Sequence, residues 1–181
     1  MAERTICLNA TMTHQTADAG LWFQGVVSRY EGPLVRYATG ITGDLEQARD
    51  VVQDAFLRLH SQNGDRPDNV QAWLYTVCRR RALDILRKEN RMRALDESST
   101  AVCQCPVAEP TSAIEQQETE HQLLRSLAEL PVNQQEVVRL KFQHDLSYRD
   151  IAAVTGLSTS NVGYLLHMAV KKLREQLATS D

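Results

Sequence analysis

Residues 79–93, RRRALDILRKENRMR, carry seven basic side chains against two acidic ones. A stripe of that density is what following a row of phosphates requires, because each neutralised phosphate releases counterions. A charge run is otherwise a solvated face. Here the surroundings favour nucleic acid: the chain as a whole carries a net charge of -3. Residues 20–96 hold 12 basic and 10 acidic side chains, whereas residues 112–181 hold 7 and 9.

A second constellation lies in DLSYRDIAAVTGLSTSNVGYLLHMAVKKL, residues 145–173. Ser147 caps a first helix, with Asp150 at its third position. Gly156 supplies a left-handed turn, Leu157 plugs the corner, and Ser158 caps a second helix. Val162, Leu166, Ala169 and Leu173 face inward. Thr159, Ser160, Asn161, Tyr164 and His167 are left outside, where a recognition helix presents side chains to base edges. Asn161 suits an adenine edge, and Ser or Thr either base. The first dozen residues of LSTSNVGYLLHMAVKKLR contain no lysine or arginine, so this helix is poorly equipped to hold DNA alone. A plain αα-hairpin shares part of this pattern.

Other chemistry is missing. Cys103-Gln-Cys105 lacks the Cys-x2-4-Cys spacing of a zinc site. Neither those two nor Cys7 and Cys78 make a disulfide framework, and a reducing compartment keeps them as thiols. His14, His60, His121, His144 and His167 show no ligand spacing. No phosphate-cradling glycine loop, nucleophile elbow or metalloprotease motif is present. The sequence predicts no metal, no cofactor and no enzyme.

The elements that position these residues are all helical, for no bounded period-2 alternation marks a strand. Residues 1–19 are expected to be a flexible tail. A helix is expected from Leu21 to Tyr30, interrupted at Gly32-Pro33 and followed by one ending near Gly40 or Gly43. GDLEQARDVVQDAFLRLH gives the clearest helix, with a capping box from Asp44 and Gln47. Ala48, Val51, Val52, Ala55, Phe56 and Leu59 form its apolar face, which turns Asp50, Gln53, Asp54, Leu57 and Arg58 outward. SQNGDRPDN reads as a surface loop. VQAWLYTVCRRRALDILRKENR is one long helix with Trp73, Val77, Leu83 or Ala82, and Leu86 inward. Residues 97–112, with two prolines, read as a linker. Helices are then expected at Ile114–Leu130, Asn133–Phe142, Ser147–Val154 and Ser158–Leu177. The expected fold is all-α: two small helical domains, 20–96 and 113–181, on a flexible linker, the second a helix-turn-helix.

Together these features resemble a sigma factor of the sigma-70 family, in its small extracytoplasmic function group. DLEQARDVVQDAFLRLH is similar to the segment of region 2 that binds the clamp helices of the largest polymerase subunit. The resemblance implies that Asp50, Gln53, Asp54, Leu57 and Arg58 bind core RNA polymerase. QAWLYTVCRRRALDILR resembles the segment that opens and holds the −10 element. It implies that Arg79, Arg80, Arg81, Arg87, Lys88 and Arg91 follow the opening strands and that Asn69, in the SQNGDRPDN loop, grips a base. LPVNQQEVVRLKFQHDLSYRDIAAVTGLSTSNV resembles region 4, which implies −35 contacts by Ser158, Thr159, Ser160, Asn161, Tyr164, His167 and Lys171. Two departures stand out. Arg80 occupies a position where the family often has asparagine. Gly163, Leu165, Met168 and Val170 lie where basic residues are common.

The implied partners are core RNA polymerase (clamp helices and flap) and promoter DNA, with room for an anti-sigma factor. With polymerase supplying most of the DNA affinity, a weakly charged reader suffices once tethered. The chain shows no apolar run of membrane-spanning length and no secretory signal pattern, so a cytoplasmic location is expected. The alternative is a stand-alone helix-turn-helix regulator, which has no use for the polar Asp50/Gln53/Asp54 face. Trp73 and Tyr75 are candidates for base stacking or for core.

Overall fold

Pro33 lies inside the first helix, α1, which runs Glu3–Thr42 without a break. The computed structural model describes residues 3–62, 66–95 and 125–178, with side chains described for 20–62, 66–92 and 125–176. The interruption expected at Gly32-Pro33 therefore does not occur. An interior proline costs about 3 kcal/mol. Val26, Leu34 and Tyr37 around it are buried, and side chains of that size return about 2 kcal/mol each. Packing overrides the local signal. The helix also begins well before Leu21, at Glu3, where the sequence led us to expect an irregular tail.

α1 ends where Gly43 takes a left-handed φ of 74° and its N–H donates to the Thr39 carbonyl at 2.8 Å. Asp44 then caps α2, Leu45–His60, by accepting from the Gln47 N–H at 2.9 Å. The capping box is only half made, because the Gln47 amide donates to Glu89 at 2.6 Å instead. The buried face of α2 is Ala48, Val51, Val52, Ala55, Phe56 and Leu59, as the spacing predicts.

α3, Val70–Leu95, lies against α1 and α2. Its inner side is Ala72, Leu74, Tyr75, Cys78 and Ala82, a stripe rotated from the expected one. Trp73 and Val77 are only partly buried against the core. The rotation follows from what α3 covers: it packs on a second group of helices as well as on α1 and α2.

That second group begins with α4, Val132–Val138. Instead of one α-helix to Phe142, the chain widens into a π turn over Arg139–Gln143. The Leu146 N–H closes it by donating to the Leu140 carbonyl at 3.1 Å, and Asp145 holds a positive φ of 51°. α5, Tyr148–Thr155, carries the full capping box of Ser147 and Asp150. Gly156, at φ 77°, turns the chain into α6, Thr159–Ala178. One apolar cluster runs through both groups, from Val26 to Ala169. The expected linker, 97–112, lies outside the described residues, and no strand occurs among those described.

Candidate nucleic-acid interface

The outward face of α2 is presented as its spacing requires. Asp50, Gln53, Leu57 and Arg58 are exposed, and Leu57 keeps 59% of its surface in water. Asp54 is partly covered, since Arg81 of α3 bridges to it at 3.1 Å.

The basic residues of α3 divide into two sets. Arg80, Arg81, Arg87, Lys88 and Arg91 are exposed, with Arg87 in a local pair with Asp84 at 2.9 Å. Arg79 is not available in the same way. Its Nε and Nη2 donate to the two carboxylate oxygens of Glu136 at 2.7 and 3.0 Å. That two-pronged bond raises the Arg79 pKa, against the opposing effect of burial.

Asn69 sits at the start of α3. Its Oδ1 accepts from the Ala72 N–H at 3.0 Å, which caps the helix. Its Nδ2 donates to Asp150 at 2.8 Å. Residues 63–65 of its loop lie outside the described residues. Arg66 stacks over the Trp22 ring at 4.3 Å, which ties the loop's distal part to α1.

α6 presents Ser158, Thr159, Ser160, Asn161, Tyr164, His167 and Lys171 to solvent. Ser158 caps it by accepting from the Asn161 N–H at 3.2 Å. Val162, Leu166 and Ala169 are buried beneath. Leu165 packs on the core, and Met168 is half-buried. A cap, a free first turn and a buried rear face are the requirements for a groove-reading helix.

Sequence reasoning missed a group at the seam between the two halves: Tyr37, Gln71, Glu136 and His144. The Tyr37 hydroxyl donates to Glu136 at 2.8 Å. Burial, then the Glu136 charge, raise its pKa well above the usual value. The His144 ring lies 5.8 Å from Tyr37 and 4.9 Å from Tyr75. Neither of its nitrogens has a hydrogen-bond partner. Burial, helped by Arg36 and Arg139, lowers its pKa to about 4. Tyr75 is thus core at this seam, away from any base. Cys78 is buried as well, and burial pushes its thiol up to about 12, an inert sulfur. Among the described residues no three His, Cys, Asp or Glu side chains cluster as a metal site. Cys103 and Cys105 lie outside those residues.

The family model of Sigma-70 region 2 matches residues 26–92, and that of Sigma-70 region 4 matches residues 120–173. The ECF RNA polymerase sigma factor SigL of Mycobacterium tuberculosis is 30% identical over 164 residues, 87% of this chain and 89% of the relative. The chain belongs to the sigma-70 family, as a sigma factor of the ECF group. RNA polymerase sigma factor SigV of Bacillus subtilis is 26% identical over 157 residues, covering 86% of this chain and 90% of the relative. Among solved structures, the sigma factor RpoE of Bartonella quintana, in complex with the anti-sigma factor NepR, shares the fold. Its TM-score is 0.69 at 20% identity, over 88% of this chain and 98% of that one. CnrH, in complex with the cytosolic domain of CnrY, gives a TM-score of 0.55 at 23% identity, over 88% and 89% of the two chains.

As a sigma factor the protein directs RNA polymerase to promoters. Its region 2 match spans most of the described part of α1, with α2 and most of α3. Its region 4 match spans α4, α5 and most of α6.

Proposed function

We propose a division of labour for this sigma factor in which three surfaces act in series and no side chain does covalent chemistry. Asp50, Gln53, Asp54, Leu57 and Arg58 dock on the clamp helices of the largest polymerase subunit, with region 4 reaching the flap. Arg80, Arg81, Arg87, Lys88 and Arg91, joined by Arg79 and Asn69, hold the −10 element as it opens. Ser158, Thr159, Ser160, Asn161, Tyr164, His167 and Lys171 set the register on the −35 element. The protein works in the cytoplasm, and among the described residues no helix is long and apolar enough to cross a membrane. The anti-sigma factor NepR seated on RpoE points to a partner of the same kind here.

The observation that carries this reading is the outward face of α2. Exposed Leu57 amid Asp50, Gln53 and Arg58 is a protein-docking patch, which a stand-alone repressor does not need. The test is gel filtration of the chain with bacterial core polymerase, beside a Gln53→Ala/Asp54→Ala variant. Comigration that the variant weakens supports the assignment; a well-folded chain that never comigrates overturns it.

A further inference from the structure

Asn69, assigned above to the opening −10 element, has its side chain spent on the protein itself. Its Oδ1 accepts from the Ala72 N–H at 3.0 Å, and its Nδ2 donates to Asp150 at 2.8 Å. Arg66, three residues earlier, is placed differently. Its guanidinium carbon lies over the Trp22 ring, 4.3 Å from the ring centre, and the side chain is exposed. The indole therefore covers one face of the guanidinium and leaves the other to solvent. The support beneath is firm. Trp22 packs against the core, and its neighbour Phe23 meets Phe56 at 6.3 Å and His60 at 5.1 Å, both edge to face. Pro67 follows Arg66 directly, and a residue before proline is confined to extended backbone. An aromatic ring below and a stiffened chain behind thus hold one planar cation at the entrance to α3.

Resting on the sigma-factor reading above, we propose that Arg66, seated on Trp22, is the platform on which an unpaired base of the opened −10 strand stacks. A guanidinium is planar and weakly hydrated, so a splayed-out base can lie on its outer face while the indole covers the inner one. Such stacking tolerates any base, because every base has a π face. Arg66 therefore holds the strand without choosing its sequence. The property it contributes is its plane, which a lysine of equal charge lacks.

The experiment compares the full chain with Arg66→Lys, which keeps the charge and removes the plane. Arg49→Lys serves as a control with the same chemical change, because Arg49 pairs with Glu46 on the surface of α2. Each protein is titrated, free and bound to bacterial core polymerase, with two labelled strands of equal length and charge. One is a random-sequence single-stranded DNA and the other is abasic throughout. Binding is read by fluorescence anisotropy, and core-polymerase comigration by gel filtration. Loss of one stacked base predicts about ten-fold weaker binding of the DNA strand by Arg66→Lys. The salt slope should stay as it was, since no charge is removed. On the abasic strand Arg66→Lys should bind like the unaltered chain, and the control should match that chain on both strands. Equal affinity of Arg66→Lys and the unaltered chain for the DNA strand overturns the platform and leaves Arg66 a plain cation. An equal loss on both strands overturns it too, as does a DNA strand that the unaltered chain binds in neither form. Comigration alongside any of those results leaves the sigma-factor reading standing and removes the platform. A loss confined to the strand with bases, shown by free chains that never comigrate, does the reverse.

Discussion

Asn69 caps α3, Asp150 completes the capping box that starts α5, and the two bond to one another. Asn69 Oδ1 accepts from Ala72 to start α3, while its Nδ2 reaches Asp150 Oδ1 at 2.8 Å. Asp150 Oδ2 meanwhile accepts from the Ser147 N–H and hydroxyl at 3.3 and 2.6 Å, which starts α5. Two caps in separate halves of the chain, 81 residues apart, thus share a hydrogen bond. Each residue has a local duty that holds its helix together and a second duty that holds the halves together.

Those duties are separable by one substitution. Asn69→Asp keeps a good capping oxygen but replaces the amide donor by a second carboxylate facing Asp150. Like charges at that distance repel where a hydrogen bond worth about 1 kcal/mol stood. The expected outcome is unchanged helix content by circular dichroism and faster amide exchange across Gln71, Glu136 and His144. Loss of α3 helicity would show that the cap depends on the contact with Asp150.

His144 gives the seam a pH dependence whose sign is fixed by its burial. The ordinary histidine value is about 6.5, and burial first, then Arg36 on α1 and Arg139 in the π turn, lower it to about 4. Tyr37 and Tyr75, the other faces of its pocket, have raised pKa values and stay neutral. The packed form therefore requires neutral imidazole. Its contribution is complete above about pH 6.5 and is lost as the pH falls towards about 4, a span worth roughly 3 kcal/mol. Scattering should show the chain expanding between pH 6.5 and 4. His144→Phe, which keeps a ring in the pocket, should flatten that response. An identical profile in both proteins would assign the expansion to other groups.

Much of this was legible in the sequence because it rests on short-range rules. The inward set of α2 follows from its spacing. The Ser147–Asp150 box, the Gly156 turn and the outward residues of α6 likewise need only local capping and periodicity. What was not legible depends on partners distant in the chain. Pro33 reads as a break until Leu34 and Tyr37 are seen to be buried by α2, α3 and the seam. The inner stripe of α3 is turned because the helix packs on two groups at once. Nothing near Glu136 marks it as the partner of Arg79, 57 residues away. The π turn at Arg139–Gln143 carries no composition signal, although it is what delivers His144 to the tyrosines. Charge alone marked Arg79 as one more member of a DNA-facing stripe. Its position over the seam gives it a second partner that charge counting does not reveal.

Gly156 holds the two helices of the reading domain at their angle. Its φ of 77° lies in the left-handed region, and an added Cβ would meet nothing within 4 Å. The cost of Gly156→Ala is therefore backbone strain alone, about 1–2 kcal/mol. Thermal unfolding should shift down by about 2–8 °C for a chain of this size, with the helix content of the folded state unchanged. A shift near zero would mean that the turn relaxes to another conformation, and the proposed −35 contacts would then suffer more than stability does.

The weak charge of α6 can be repaired at Gly163. An added Cβ there meets only the Tyr148 ring, at 3.7 and 4.0 Å, which is ordinary contact. Gly163→Lys removes a helix-weakening glycine worth up to about 1 kcal/mol, and places a cation one turn from Ser160 and next to Tyr164 on the side proposed to face DNA. If that side follows the backbone of a duplex, one more phosphate is neutralised. The salt dependence of duplex binding by the full chain should then steepen by about 0.9 in the log–log slope. Binding at low salt should tighten while sequence preference stays as it was, since a phosphate contact carries no base information. Greater thermal stability with an unchanged slope would instead place position 163 away from the DNA, and would reassign the reading surface to the residues on the far side of Asn161.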